Sequence, residues 1–162
     1  MKLWGRLTSS NVQKVTWLLG ELGLKPEYTQ VGGRFGGLDD SAFLAMNPHG
    51  KVPVLEDNGL VLMESHTILR YLAAEHGGNA WWPASARDRS GVDRWLDWGA
   101  TWHQPHFMGL FWGYYREPQA SRNHQANDRF RRSCEADYAL LDRELSERPY
   151  LNGDEFSLAD VP

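Results

Sequence analysis

The segment over residues 47–65 constrains the fold of this chain more than any other part of the sequence. It opens with the run Asn-Pro-His-Gly-Lys-Val-Pro-Val-Leu. A short apolar strand is predicted over Val52–Glu56, and the following Asp-Asn-Gly supplies a turn before a second strand over Leu60–Met63. Ser65 is a favoured N-cap residue, which predicts a helix that begins there and runs to about Glu75.

A strand edge beside a helix N-terminus can bind an extended peptide that carries a carboxylate. The free edge offers main-chain hydrogen bonds to the peptide, and the helix end offers N–H groups and a partial positive charge. The segment therefore predicts a peptide-binding edge.

The N-terminal part predicts a strand, a helix and a second strand. Lys2–Gly5 and Glu27–Val31 are the predicted strands, and apolar residues recur between them at helical spacing until Gly23. These apolar residues are Val12, Val15, Leu18, Leu19 and Leu22. A helix between two strands, followed by the hairpin and its helix, predicts an α/β thioredoxin-like domain over about residues 1–77.

The remaining residues predict a linker over 78–86 and an all-α domain over 87–162. Val92, Trp95, Leu96, Gly99, Trp102 and Phe107 trace one apolar face of a helix. Pro105 should bend this helix, because proline lacks the backbone N–H and clashes with the preceding turn.

A second long helix is predicted over about Asn123–Glu147. Its apolar stripe contains Phe130, Cys134, Tyr138, Leu141 and Leu145. Cys134 is therefore expected to be a buried small hydrophobe rather than a nucleophile.

Composition excludes several classes of function. A net charge of −4 without a basic run argues against a nucleic-acid surface. The six histidines form no metal-binding pattern and have no cysteine partner, so no metal is expected. A single cysteine and no apolar stretch long enough to span a membrane favour a reducing, cytoplasmic location, and no leader is expected before the first strand.

The hairpin motif, together with the first helix, resembles the glutathione transferases, in particular the bacterial theta-, zeta- and nu-like types. The resemblance implies glutathione as co-substrate and a cis bond before Pro53. It further implies that the Val52 backbone pairs with the cysteinyl unit, while Glu64 and Ser65 hold the γ-glutamyl end. Lys51 is the better candidate for the glycyl carboxylate, and Arg34 is a secondary one.

The resemblance places the chemistry in the loop before the first helix. Ser9 falls at the position of the catalytic serine, and Asn11 matches an asparagine that takes part in nu-type enzymes. A thiol with a pKa of about 8.5 is mostly protonated at neutral pH, so a donor near the sulfur favours the reactive thiolate. Ser9, Ser10 and Asn11 are also favoured helix caps, and this alternative stays open.

The resemblance implies an electrophile site on the predicted bent helix, with Trp102, His106 and Phe107 as candidates. Such an aromatic wall suits an apolar substrate. Relatives are homodimers with a role in detoxification, so a homodimer is expected.

The chain ends at a motif of the family. Residues 156–162 resemble a box in which Ser157 and Asp160 cap the next helix, so the helical domain is expected to be incomplete here.

Three functions fit this sequence. The first is a glutathione transferase that attacks an electrophile. The second is a nu-type disulfide or peroxide reductase that uses bound glutathione in place of a protein thiol. The third is a non-catalytic, protein-binding relative.

Overall fold

The computed structural model describes all residues from 1 to 162 and divides into two compact units. One contains Met1–Ala84 and Val161, and the other contains Ser85–Asp160 and Pro162. The division falls inside the segment 78–86 that the sequence suggested as a linker, where Gly78–Trp81 forms a short helix, α4. An α/β thioredoxin-like fold followed by a helical region confirms the predicted fold class.

The first unit is built on a four-stranded sheet in the order β2-β1-β3-β4. The strands are β1 (Lys2–Gly5), β2 (Glu27–Gln30), β3 (Val54–Asp57) and β4 (Leu60–Met63). β1 pairs in parallel with β2 and antiparallel with β3, and β3 pairs antiparallel with β4. β3 begins two residues later than predicted, after Pro53, which has no N–H to donate to a strand ladder.

Helices α1 (Ser10–Glu21) and α2 (Ser41–Met46) connect these strands, and α3 (Ser65–Leu72) follows β4. The predicted apolar stripe of α1 is confirmed for Val12, Val15, Leu18 and Leu19, which are buried, whereas Leu22 is half-buried just after the helix. α3 packs against α1 and buries Ile68, Leu69 and Leu72. A π-helical turn over Ala73–Gly77 continues α3 to about the predicted end.

The prediction that Ser65 caps α3 was wrong by one residue. Glu64 occupies the N-cap position with a φ of 70°, and Ser65 is the first residue of the helix. The left-handed conformation of Glu64 turns the chain sharply from β4 into α3, so Ser65 already lies within the first turn.

The second unit is helical. Its long helices are α5 (Ala86–Trp98), α6 (Gln104–Phe111) and α7 (His124–Glu147). π-helical turns over Gly99–His103 and Trp112–Arg116 follow α5 and α6. The first of these wide turns lies directly before the Pro105 region, where a regular helix would require the missing N–H.

The predicted apolar face of α5 is correct up to Gly99 and fails beyond it. Val92, Trp95, Leu96 and Gly99 are buried, but Trp102 is 62% exposed. A π turn contains more residues than an α turn. Residues after the start of the π turn are therefore rotated away from the apolar face that a period of 3.6 residues predicts.

The buried stripe of α7 is only partly confirmed. Asn123 caps the helix, and its side-chain oxygen accepts a hydrogen bond of 3.0 Å from the Ala126 N–H. Cys134 is buried as predicted, but Tyr138 is 50% exposed and Leu145 is 44% exposed. Amphipathic spacing predicts which face of a helix is apolar. Whether that face is buried at each turn depends on which neighbouring elements pack against it. No helix in the protein is both long and apolar enough to cross a membrane.

Candidate active site

The strand register brings the candidate residues of the first unit to one end of the sheet, the end at which β1 and β4 stop and β3 begins. Trp4 of β1 pairs with Val54 of β3, which pairs with Met63 of β4. The chain leaves β1, enters β3 and leaves β4 at this end of the sheet. The loop after β2 lies at the same end, because β2 is parallel to β1. The candidate residues on the segments at this end are Ser9, Asn11, Arg34, Lys51, Val52, Pro53, Glu64 and Ser65.

Ser9 occupies the N-cap position of α1, but its hydroxyl makes no capping hydrogen bond. Its carbonyl oxygen accepts from the Val12 and Gln13 N–H groups at 3.0 and 2.9 Å, and its own N–H donates to the Arg6 carbonyl at 3.0 Å. The backbone of Ser9 therefore starts the helix, while its hydroxyl is not used as a cap. Asn11 follows in the first turn and, like Ser9, is half-buried.

The Val52-Pro53 peptide bond is cis, as the resemblance implied. Pro53 is buried and Val52 is half-buried just before β3 begins. Val52 thus precedes the first paired residue of β3, Val54, and its backbone lies outside the strand ladder at this end of the sheet.

Asn47, which sequence analysis missed, holds the loop in front of the cis bond. It is buried, its side-chain nitrogen donates to the Lys51 carbonyl at 2.9 Å, and its side-chain oxygen accepts from the His49 N–H at 3.1 Å. Gly50 completes the turn with a φ of +58°, and a Cβ there would lie 3.1 Å from the Leu38 carbonyl oxygen. The Asn and Gly of the Asn-Pro-x-Gly run were the available signal.

Glu64 and Ser65 form the start of α3. Ser65 is buried and Glu64 is exposed. The carbonyl of Glu64 accepts from the Ile68 N–H at 2.9 Å, which leaves the first N–H groups of α3 directed out of the helix end. A buried hydroxyl beside these donors suits a carboxylate.

The two candidate cations are exposed at the same edge. The Arg34 guanidinium lies over the Phe35 ring at 4.8 Å from its centroid, in a short 3₁₀ turn over Gly33–Phe35. Lys51 precedes Val52 directly, so its position follows the cis-proline loop.

A second feature missed from the sequence joins α1 to α3. Lys14 Nζ lies 3.1 Å from His66 Nε2. An ammonium group can only donate, so the imidazole accepts at Nε2 and carries its proton on Nδ1. Burial lowers the pKa of Lys14 from 10.5 to about 8, so the side chain is still mostly protonated at neutral pH.

The three electrophile-site candidates lie in the second unit and have different environments. Phe107 belongs to a ladder of stacked rings, Trp102 is exposed outside it, and His106 Nδ1 lies 2.9 Å from Asp137 Oδ2. The ladder runs through Trp98, His103, Phe107, Phe111 and Tyr115, with centroids 5.4–6.2 Å apart. His103 Nδ1 also approaches Asp137 Oδ2, at 3.3 Å.

An apolar cavity of about 370 Å³ lies beside this ladder. It is lined by Phe107, Leu110, Phe111, Tyr114, Tyr115 and Arg131. No group of three or more His, Cys, Asp or Glu side chains in the protein is arranged to hold a metal ion.

Comparison with known proteins identifies the family. The family model described as the glutathione S-transferase N-terminal domain matches residues 3–80. Glutathione S-transferase GstB of Escherichia coli strain K12 is 41% identical over 161 residues, which cover 98% of this chain and 77% of that protein. The chain belongs to the glutathione S-transferase family.

Two further proteins are similar to this chain. A theta-class glutathione S-transferase from Xanthomonas axonopodis pv. citri, solved with glutathione bound, superimposes with a TM-score of 0.93 at 40% identity, over 99% of this chain and 77% of that one. The disulfide-bond oxidoreductase YghU of Escherichia coli strain K12 is 31% identical over 167 residues, or 96% of this chain and 56% of that protein.

Proposed function

We propose that this chain is a glutathione transferase that activates the glutathione thiol as a thiolate for attack on an electrophilic, apolar substrate. The observation that carries the proposal is that three features lie at the same end of the sheet. They are a Ser9 hydroxyl that makes no capping hydrogen bond, a cis-proline loop, and a buried Ser65 at the start of a helix. A theta-class relative with glutathione bound has the same fold.

Each part of glutathione has a partner in this arrangement. The backbone of Val52 pairs with the cysteinyl unit, because Val52 lies before β3 begins and an extended segment outside the ladder offers main-chain hydrogen bonds to an extended peptide. Glu64 and Ser65 hold the γ-glutamyl end at the N-terminus of α3. Lys51, with Arg34 as a second cation, binds the glycyl carboxylate.

The thiolate is stabilised at the start of α1. The Ser9 hydroxyl donates a hydrogen bond to the sulfur, and the partial positive charge of the helix end favours the same anion. Asn11 is the competing or assisting donor. Lowering the thiol pKa by one requires about 1.4 kcal/mol, which one charge-assisted hydrogen bond supplies.

Conjugation follows from this activation. The thiol proton leaves to solvent, the thiolate sulfur forms a bond to the electrophilic carbon, and a leaving group departs with the electron pair of the broken bond. The aromatic residues Trp102, His106 and Phe107 are the proposed contacts of the second substrate.

A disulfide reductase is the second candidate, favoured by the similarity to the disulfide-bond oxidoreductase YghU and by Asn11. The bound thiolate would attack one sulfur of the substrate disulfide and release the other as thiolate. A second glutathione then resolves the mixed disulfide, so two glutathione molecules are oxidised for each disulfide reduced.

The relatives also lead us to propose a two-fold homodimer, which is the commonest symmetry of soluble oligomers. α3 with the turn that follows it, and α5, supply the proposed interface, through Arg70, Glu75, Arg94 and Trp98.

The deciding experiment is binding to immobilised glutathione, followed by turnover with an aryl halide and with a small disulfide. Conjugation of the aryl halide supports the transferase, and turnover of the disulfide alone supports the reductase. Binding without either activity would favour the non-catalytic alternative, and no binding would contradict all proposals that involve glutathione.

A further inference from the structure

Arg6, the first residue after β1, lies against the loop that follows β2. The Val31 N–H donates to the Gly5 carbonyl at 3.0 Å, so the two chain segments leave the sheet side by side. A Cβ at Gly32 would lie 2.9 Å from Arg6 Nη1, and a Cβ at Gly33 would lie 3.1 Å from Arg6 Cδ and 3.2 Å from its Nε. The Arg6 side chain therefore packs on the backbone of these two glycines, and a side chain at Gly32 would displace the guanidinium.

The guanidinium of Arg6 has no partner in the protein. It forms no hydrogen bond and no ion pair, and neither acid of the loop, Asp39 or Asp40, pairs with it. Its charge acts on Tyr28, whose pKa is raised by burial against the opposing effect of Arg6, but that hydroxyl is buried without a hydrogen-bond partner. Arg6 is half-buried, so its guanidinium has lost part of its hydration without gaining an acceptor. An anion from outside the protein would supply that acceptor.

Arg6 lies at the same end of the sheet as the cis-proline loop, and Leu38 lies against both segments. The Cβ position at Gly32 that approaches Arg6 is also 3.1 Å from Leu38 Cδ1. The carbonyl of Leu38 faces Gly50, the residue before Lys51, at 3.1 Å from the Cβ position there. The proposed function assigns Lys51 to the glycyl carboxylate, so the unpaired guanidinium lies on the glycyl side of the site.

The loop between β2 and α2 has few polar side chains of its own for a carboxylate. Residues 32–37 have the sequence Gly-Gly-Arg-Phe-Gly-Gly, and the guanidinium of Arg34 already lies over the Phe35 ring. Arg6 occupies the space that the absent side chains of Gly32 and Gly33 leave open. Its planar group can donate two parallel N–H bonds to one carboxylate, which a lysine cannot do.

We propose that Arg6 binds the glycyl carboxylate of glutathione alongside Lys51. The proposal rests on the proposed function and adds to it a residue from the end of β1. It also explains why a half-buried guanidinium is held on two glycines without an acidic partner.

The test changes the residue and the carboxylate together. Arg6→Met removes the charge and keeps an unbranched side chain that can pack on the two glycines. Glutathione monoethyl ester, esterified at the glycyl carboxylate, removes the charge of the ligand at that end alone. Arg132→Met is the matched control, because it removes an arginine from an exposed position on α7. Titration calorimetry measures the affinity of each protein for each ligand.

We expect Arg6→Met to weaken the binding of glutathione about ten-fold, the usual effect of losing a hydrogen bond to a charged group. Binding of the ester should be unchanged by Arg6→Met, because the ester has no glycyl charge for Arg6 to contact. Arg132→Met should bind both ligands as the unmodified chain does. Equal weakening for both ligands would show that Arg6 supports the loop or contacts another part of the tripeptide. That result, or an unchanged affinity for glutathione, would overturn the proposal.

A second measurement needs no variant, so it holds even if Arg6→Met does not fold. Phenylglyoxal modifies accessible arginine side chains, and mass spectrometry of the digested protein locates each modified residue. Saturating glutathione should protect Arg6 from modification, the saturating ester should protect it less, and neither should protect Arg132. An Arg6 that stays as reactive under saturating glutathione as in the free protein overturns this inference alone. A chain that does not bind glutathione overturns the proposed function and this inference with it.

Discussion

The Tyr71 hydroxyl donates a hydrogen bond of 2.9 Å to the carboxylate of Asp57, which is buried at the end of β3. His76 approaches the same oxygen at 3.3 Å, and the N-terminal amine lies 3.7 Å from the other. Burial alone would raise the pKa of Asp57, but the hydrogen bonds from Tyr71 and His76 and the charge of the amine outweigh it and lower the pKa below its usual range. This network joins the N-terminus of the chain, the hairpin and the end of α3. It lies at the end of the sheet opposite the candidate site.

Asp57→Asn should destabilise the protein at neutral pH by about 1–3 kcal/mol, because three partners lose a charged acceptor. Since the folded-state pKa of Asp57 is lowered, its contribution is present above the unfolded pKa and is lost as the pH falls through the folded pKa. Urea unfolding of the two proteins should therefore converge in acid. Asp39→Asn, at an exposed loop position, is the control and should change stability little. A constant difference at every pH would contradict the role given to the charge.

Ser65→Ala should weaken glutathione binding by about 1–3 kcal/mol, because a buried hydroxyl at the start of α3 is lost as a donor to the carboxylate. Titration calorimetry measures this change directly. Ser90→Ala, at an exposed position of α5, should bind as the unmodified chain does. Equal affinity of Ser65→Ala and the unmodified chain would remove Ser65 from the γ-glutamyl site.

Ser9→Ala should raise the pKa of bound glutathione by about 1 and slow conjugation at neutral pH, with a smaller effect on glutathione affinity. The loss should shrink as the pH approaches the pKa of the free thiol, because solvent then ionises the sulfur without help. Thiolate absorbance against pH measures the shift.

Asn11→Ala tests the competing donor in the same assay. If only Asn11→Ala raises the thiol pKa, Asn11 is the donor and the reductase proposal gains support. If neither change raises it, the assignment of both residues fails and the helix end alone activates the thiol.

Cys134→Ala should leave glutathione turnover unchanged. Burial and then the nearby charge of Asp137 raise the pKa of the Cys134 thiol, so little thiolate forms at neutral pH. Native protein should accordingly resist alkylation by iodoacetamide, and urea should expose the thiol. Loss of disulfide turnover in Cys134→Ala would instead show that the protein thiol takes part.

The proposed homodimer should appear in multi-angle light scattering at twice the mass of the chain. Arg94 lies exposed on α5 with its guanidinium 5.4 Å from the Trp95 ring centroid, so Arg94→Glu reverses a charge on the proposed interface. We expect this change to shift the equilibrium toward monomer. A protein that is monomeric and still binds glutathione would contradict the proposed homodimer.

Local patterns determined much of this protein directly. The apolar residues and the turn after Pro53 are sufficient for the hairpin, and the spacing of Val12 to Leu19 is sufficient for the buried face of α1. Ser157 and Asp160 interact as the sequence predicted, because a cap needs only residues a few positions apart. Asp160 Oδ2 accepts from the Ser157 N–H at 2.9 Å and from its hydroxyl at 3.2 Å.

Only the tertiary structure decided the remaining features. The sequence allowed Ser9 to use its hydroxyl as a cap, but in the structure that hydroxyl makes no capping hydrogen bond. A π turn moved Trp102 out of the buried face of its helix, because local periodicity assumes an unbroken α-helix. Lys14 and His66 are 52 positions apart and meet because β1 and β4 run in the same direction and start their helices at one edge. Contacts between distant residues depend on strand order and register, which no single segment of the sequence specifies.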